Sequence, residues 1–165
     1  MTLDYQKDLE MRLKRVDWRA LDTAYGSAES VPRWLWDLRF AGILVAEDAV
    51  NTLCGALCHQ KGQLGSAALE ALPFLLEFLP DVTESLRTEI LDILDGFALC
   101  SAPARGYPSS GYHATVRERL RGAIPEIMRF TTAGSTDSRD FATRIVEELT
   151  DPSKDVPSSK RRPRE

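Results

Sequence analysis

The sequence predicts an all-α fold. Most segments with a clear apolar period repeat near 3.6 residues, and strand-like alternation is confined to three six-residue runs. Leu and Ala also outnumber the β-branched Val and Ile. The chain's 165 residues suit one domain. A chain of this size buries about two-thirds of its unfolded surface and folds without staples.

Taken in order, the elements number about seven or eight helices. Leu9, Leu13, Val16 and Ala20 follow helical spacings of 4, 3 and 4, which override the alternation of DLEMRL (8–13) and RVDWRA (15–20). Residues 1–16 read as an N-terminal helical extension, and Gly26 reads as the C′ glycine of a short helical stretch beginning at Asp17. Residues 46–58 set Ala46, Ala49, Val50, Leu53 and Leu57 on one stripe, against Glu47, Asp48 and Asn51. Asp81, with Glu84 three residues later, resembles a capping box. The helix it opens turns Leu86, Ile90, Ile93, Leu94 and Phe97 inward. SAPARGYPSSG, 101–111, holds two Pro and two Gly and reads as a loop longer than most helix connections. YHATVR, 112–117, is the best strand candidate, but a lone strand has no partner, so it reads as helical or irregular. Phe141, Ile145 and Leu149 form the stripe of a last helix, and residues 151–165 read as a disordered basic tail without an apolar face.

A repeat underlies residues 17–150. Three segments share a form in which Pro opens or interrupts an apolar helix, a polar turn follows, and a second amphipathic helix returns. They are VPRWLWDLRF with EDAVNTLCGAL, LPFLLEFL with ESLRTEILDIL, and IPEIMRF with SRDFATRIVEEL. Their prolines, Pro32, Pro73 and Pro125, are 41 and 52 residues apart, the second interval lengthened by about the 101–111 loop. Paired helices at such a period describe an α-solenoid, in which each pair buries its apolar face against its neighbours.

Pro in the first helix with Arg87 and Arg139 early in the second resembles HEAT repeats. The first unit departs from that pattern, having Glu47 and Asp48 in place of the arginine. DWRALDTAYGSAESVPRWL and CHQKGQLGSAALEALPFLLEFL resemble a group of small bacterial HEAT-like proteins. The resemblance implies a short solenoid of about three helix pairs behind an N-terminal cap, and protein binding as its work. Some proteins with such repeats look like immunity proteins for secreted toxins, and others are scaffolds.

Charge narrows the partner. The formal net charge is −4, but residues 29–100 alone carry eleven acids and four bases, net −7. Phosphate binding needs clustered Lys and Arg, so nucleic acid is disfavoured and a basic protein partner is expected. The tail's KRRPR run reads as solubilising. No apolar run is long enough to span a membrane, and the first 20 residues lack a secretory apolar region. Three cysteines, an odd number, fit a reducing cytoplasm rather than a disulfide framework.

Catalytic and metal signatures are weak. Cys54 and Cys58 lie four apart with His59 adjacent, but Cys100 stands alone and no second ligand pair exists, so the cysteines read as core. No nucleophile elbow or phosphate loop is present, and the expectation is a non-enzyme with no cofactor and no metal. Glu84, Thr88, Asp92 and Asp95, spaced by 4, 4 and 3, share one helix face. In a solenoid the second helices of successive pairs line one concave surface, where these residues would join Glu47 and Asp48 in an acidic ridge. Trp34 and Trp36 diverge by about 200° on a helix, so one can be core while the other is exposed; both are candidate binding anchors, although core is the commoner place for each. Arg105 and Tyr107 complete the candidate binding set from the loop. The expected function is an immunity protein that blocks a toxin's active site with this acidic face; the alternative is an intracellular scaffold.

Overall fold

The computed structural model of the chain describes residues 3–59 and 62–157. Eight α-helices dominate them: α1 Leu3–Arg15, α2 Val31–Phe40, α3 Ile43–Leu57, α4 Ala67–Phe78, α5 Glu84–Cys100, α6 Gly111–Gly122, α7 Ile124–Ile127 and α8 Thr136–Thr150. The all-α expectation holds, with two small additions. Asp22–Thr23 (β1) pairs antiparallel with Gly26–Ser27 (β2), and Cys58–His59 (β3) with Gln63–Leu64 (β4).

The stripes read from the sequence are the core. Ala46, Ala49, Val50, Leu53 and Leu57 are all buried, as are Leu86, Ile90, Ile93, Leu94 and Phe97. Ile145 and Leu149 are buried and Phe141 packs half-buried beside them. Helix α3 packs on α2 and α5, and α5 packs in turn on α8. A second row runs alongside, with α2 against α4, α4 against α6, and α6 against α7. Helix α1 buries Leu9 and Leu13 in the same core, and its Arg12 grips Glu77 of α4 through two hydrogen bonds of 2.6 and 2.9 Å.

Several local expectations are corrected, each by a contact that sequence spacing does not show. Gly26 has a left-handed φ of 117° but opens β2, and the helical stretch before it shrinks to the 3-10 turn Trp18–Ala20. Thr23 Oγ1 donates to the Gly26 carbonyl at 2.9 Å and accepts from the Tyr25 N–H at 3.2 Å, a local bonding that competes with helix. Asp81 caps nothing: α5 starts at Glu84 behind Thr83, and Asp81 pairs with Arg39 of α2 at 2.9 Å. The 112–117 run is helical, within α6. In the 101–111 segment Ser101, Ala102 and Pro103 are buried, and Pro103–Arg105 forms a 3-10 turn.

The tail reading fails over its described part. Pro152–Asp155 is a 3-10 turn, and Asp155 accepts a hydrogen bond of 2.8 Å from Arg117 and a second from Arg121. The Arg117 side chain, 4% exposed, also donates to the carbonyls of Ala98 at 3.2 Å and Glu148 at 2.8 Å. Residues 158–165, with the KRRPR run, lie outside the described residues.

Two stability outcomes are expected. A Cβ at Gly65 would sit 2.5 Å from the Asp22 carbonyl oxygen, whereas one at Gly122 meets nothing within 4 Å. Gly65→Ala should cost about 1–3 kcal/mol, while Gly122→Ala should be neutral or stabilise by up to about 1 kcal/mol; urea unfolding midpoints check both. Asp155→Ala leaves the buried Arg117 guanidinium short of a carboxylate and should cost about 1–3 kcal/mol on the same measurement.

Candidate functional site

Charge is segregated between the two rows of helices. Helices α3, α5 and α8 together carry ten acids and three arginines, whereas α2, α4, α6 and α7 carry five of each. The acids on the first row do two different jobs, and helix geometry separates them. Relative to Glu84, Thr88 and Asp95 lie within about 40° around the α5 axis, while Asp92, Ser85 and Glu89 lie at about 80–140°.

The first group holds α8. Glu84 Oε1 accepts from the Ser135 backbone N–H and the Ser138 hydroxyl, both at 2.7 Å, and its Oε2 accepts from Arg87 at 2.6 Å. Ser135 in turn caps α8 by accepting from the Ser138 N–H at 3.1 Å. The Ser135 N–H, then the Ser138 hydroxyl, pull the Glu84 carboxyl down to about 2. Thr88 Oγ1 lies 2.7 Å from Ser138 Oγ. Gly134 at φ 94° passes so close that a Cβ there would stand 2.6 Å from Glu84 Oε1. Asp95, 1% exposed, accepts from Arg144 of α8 at 2.9 Å. Half-exposed Glu84 and buried Asp95 are therefore both spent on fastening α8.

The second group faces α3. Glu47 accepts from the Ser85 hydroxyl at 3.1 Å, Asp92 accepts from the Cys54 thiol at 3.8 Å, and Asp48 is exposed. Glu89, half-buried between them, has its carboxyl pushed up, first by burial and then by repulsion from Asp92 and Glu47. Glu89 was absent from the sequence-derived set because it lies off the 84–88–92–95 spacing; the row Ser85, Glu89, Asp92 was the signal for it.

The remaining candidates are dispersed. Trp34 and Trp36 are both half-buried against the core, and both lie on α2, outside the acidic row. Trp36 packs on Phe40 at 4.5 Å between ring centroids and helps line a groove of about 790 Å³ with Trp18, Val16 and Pro32. Tyr107 donates to the Gly62 carbonyl at 2.8 Å, so the loop is fastened to the β3–β4 turn. Burial, then the neighbouring Cys100 and Cys58 thiols, push the Tyr107 hydroxyl up to about 12. Cys58 meets Cys100, with Sγ atoms 3.1 Å apart in the core. Among the described residues no three His, Cys, Asp or Glu side chains converge as a metal set, and no helix is long and apolar enough to cross a membrane.

Asp95 and Arg105, ten residues apart in sequence, both line a cavity of about 570 Å³ at the C-terminal end of α8. Four carboxylates line it, those of Asp95, Glu147, Glu148 and Asp151, with three cations, Arg105, Arg144 and Lys154. The Glu148 side chain is 7% exposed; its Oε2 accepts from Arg105 at 3.3 Å and lies 3.6 Å from Lys154 Nζ. Its Oε1 is buried with no hydrogen-bond partner among the described residues. Leaving such an oxygen unmet costs about 1–3 kcal/mol. Glu148 and Arg144 were missed because their periodicity is that of any amphipathic helix.

No family model, curated protein or solved structure matches this chain.

The Glu84 geometry fixes an acid limb of stability. Its folded value is depressed from 4.5 to about 2, so the folded state binds fewer protons than the unfolded one between those values. The stabilisation is complete above pH 4.5 and is lost as pH falls toward 2. Urea midpoints at pH 5 and pH 2.5 should therefore converge in Glu84→Gln relative to the unsubstituted protein; an equal acid loss in both would contradict this role.

Proposed function

We propose that this chain is a non-catalytic protein-binding module, an immunity protein that covers the active site of a basic toxin with the outer surface of α3 and α5. The architecture we assign to it is a short HEAT-like solenoid. Helices α2 and α3, α4 and α5, and α7 and α8 are the three pairs, and the contacts of α3 with α5 and of α5 with α8 are those expected of successive second helices.

The observation that carries the binding reading is the gathering of Glu47, Glu89 and Asp92 with Asp48 beside them. Burial first, and then repulsion from Asp92 and Glu47, raises the Glu89 carboxyl, so the isolated fold bears a repulsive cost on this surface. A cationic partner relieves that cost, and complementary charge speeds encounter while rejecting acidic proteins. An enzyme that cuts nucleic acid needs a basic cleft to hold phosphates, and such a cleft is a fitting counterpart. A scaffold that joins two proteins is the second reading, supported by the separate Trp18–Trp36 groove between α1 and α2.

The expected result of a tagged capture from the native cell at low salt is one stoichiometric basic protein that is toxic when expressed alone. Reversing Glu47, Glu89 and Asp92 to Lys should weaken that complex by about tenfold or more, mainly through the association rate, and flatten its salt dependence. Undiminished binding with the same salt dependence would sink the acidic-surface reading, and capture of two unrelated housekeeping proteins would favour the scaffold.

A further inference from the structure

The cavity at the end of α8 lies outside the α3–α5 surface and is built differently. It is walled by α5 through Asp95, by the 3-10 turn through Arg105, by α8 through Arg144 and Glu148, and by Lys154 beyond α8. Its volume, about 570 Å³, falls in the range of sites that hold a ligand group. Its three cations are already directed at carboxylates, Arg144 at Asp95 and both Arg105 and Lys154 toward Glu148 Oε2. Its four carboxylates therefore exceed its cations by one. A shortage of donors falls on the buried Oε1 of Glu148.

A buried carboxylate oxygen accepts hydrogen bonds and donates none, so the group it takes must bring N–H or O–H. With the lining net negative, a cation fits better than a neutral donor, and an anion is repelled. Arg105 is 46% and Lys154 31% exposed, so an incoming group can enter past side chains that border solvent.

We infer that this cavity is an anchor site for a basic side chain, arginine or lysine, of a protein partner, whose guanidinium or ammonium group donates to Glu148 Oε1. The inference rests on the protein-binding reading above and adds to it a second, discrete contact. Acids on the open surface set the rate of encounter; a basic side chain seated against a buried carboxylate slows release.

The test uses the full chain, amide NMR spectra and small probes of defined charge. N-acetyl-arginine amide should give saturable shifts confined to residues 95–105 and 144–154. The isosteric but uncharged N-acetyl-citrulline amide should bind about tenfold more weakly or worse, as should the arginine probe to Glu148→Gln. Glu126→Gln, exposed on α7 and outside both sites, should leave the titration unchanged. Absence of saturable, localised shifts overturns the site, and so does equal binding of the citrulline probe. The citrulline comparison needs no variant, so it decides even if Glu148→Gln fails to fold. Methylguanidinium binding as tightly as a glycine-flanked arginine peptide would make this a small-amine site and overturn the assignment to a protein side chain. The charge reversals at Glu47, Glu89 and Asp92 replace none of the lining residues, so failure of the surface and failure of the cavity are separable.

Discussion

The buried guanidinium of Arg117 is the joint on which the second half of the molecule depends. It brings together the end of α5 through the Ala98 carbonyl, the end of α8 through the Glu148 carbonyl, and the segment after α8 through Asp155. At the opposite end of the same two helices, Glu84 holds the first turn of α8. Helices α5 and α8 are thus pinned at both ends by polar contacts, with an apolar seam of Ile145, Leu149 and Leu91 between. Hydrophobic burial alone would let two such helices slide by a turn; directed hydrogen bonds to backbone groups fix the register.

That register decides which acids are available. Helix α5 spends Glu84 and Asp95 on α8, and what remains turned toward α3 is Glu89 with Asp92. The same register carries Glu148 into a cavity, because its backbone carbonyl is the one Arg117 takes. Carboxylates that fasten α8 and carboxylates that face α3 are therefore interleaved on α5, separated only by angle.

The apolar architecture was legible because burial imposes a local period: the stripes at 46–57 and 86–97 needed only helical spacing to be found. The hairpins were not legible. Strands of two residues have no period, and theirs are fixed by distant groups, such as the Ala56 carbonyl that takes the Ala24 N–H at 2.8 Å and the Leu57 carbonyl that takes the Gly65 N–H at 3.1 Å. Of the candidate site, Asp95 and Arg105 were found as residues but not as neighbours, since a separation of ten residues across a turn carries no geometry. The single face drawn through Glu84, Thr88, Asp92 and Asp95 is in fact two, and only the position of α8 divides them. Asp81 misled for the same reason: a capping spacing is local, and Arg39 is not.

The unequal division of charge sets up an electric dipole across the two rows of helices, over and above their net charge. Net charge draws a cationic body inward from any side; a dipole exerts a torque. Within the Debye length, about 8 Å at physiological salt, an approaching polycation would turn the molecule before touching it, so that the α3–α5–α8 side leads. Orientation would then be settled during the approach, and fewer encounters would be spent on the balanced side.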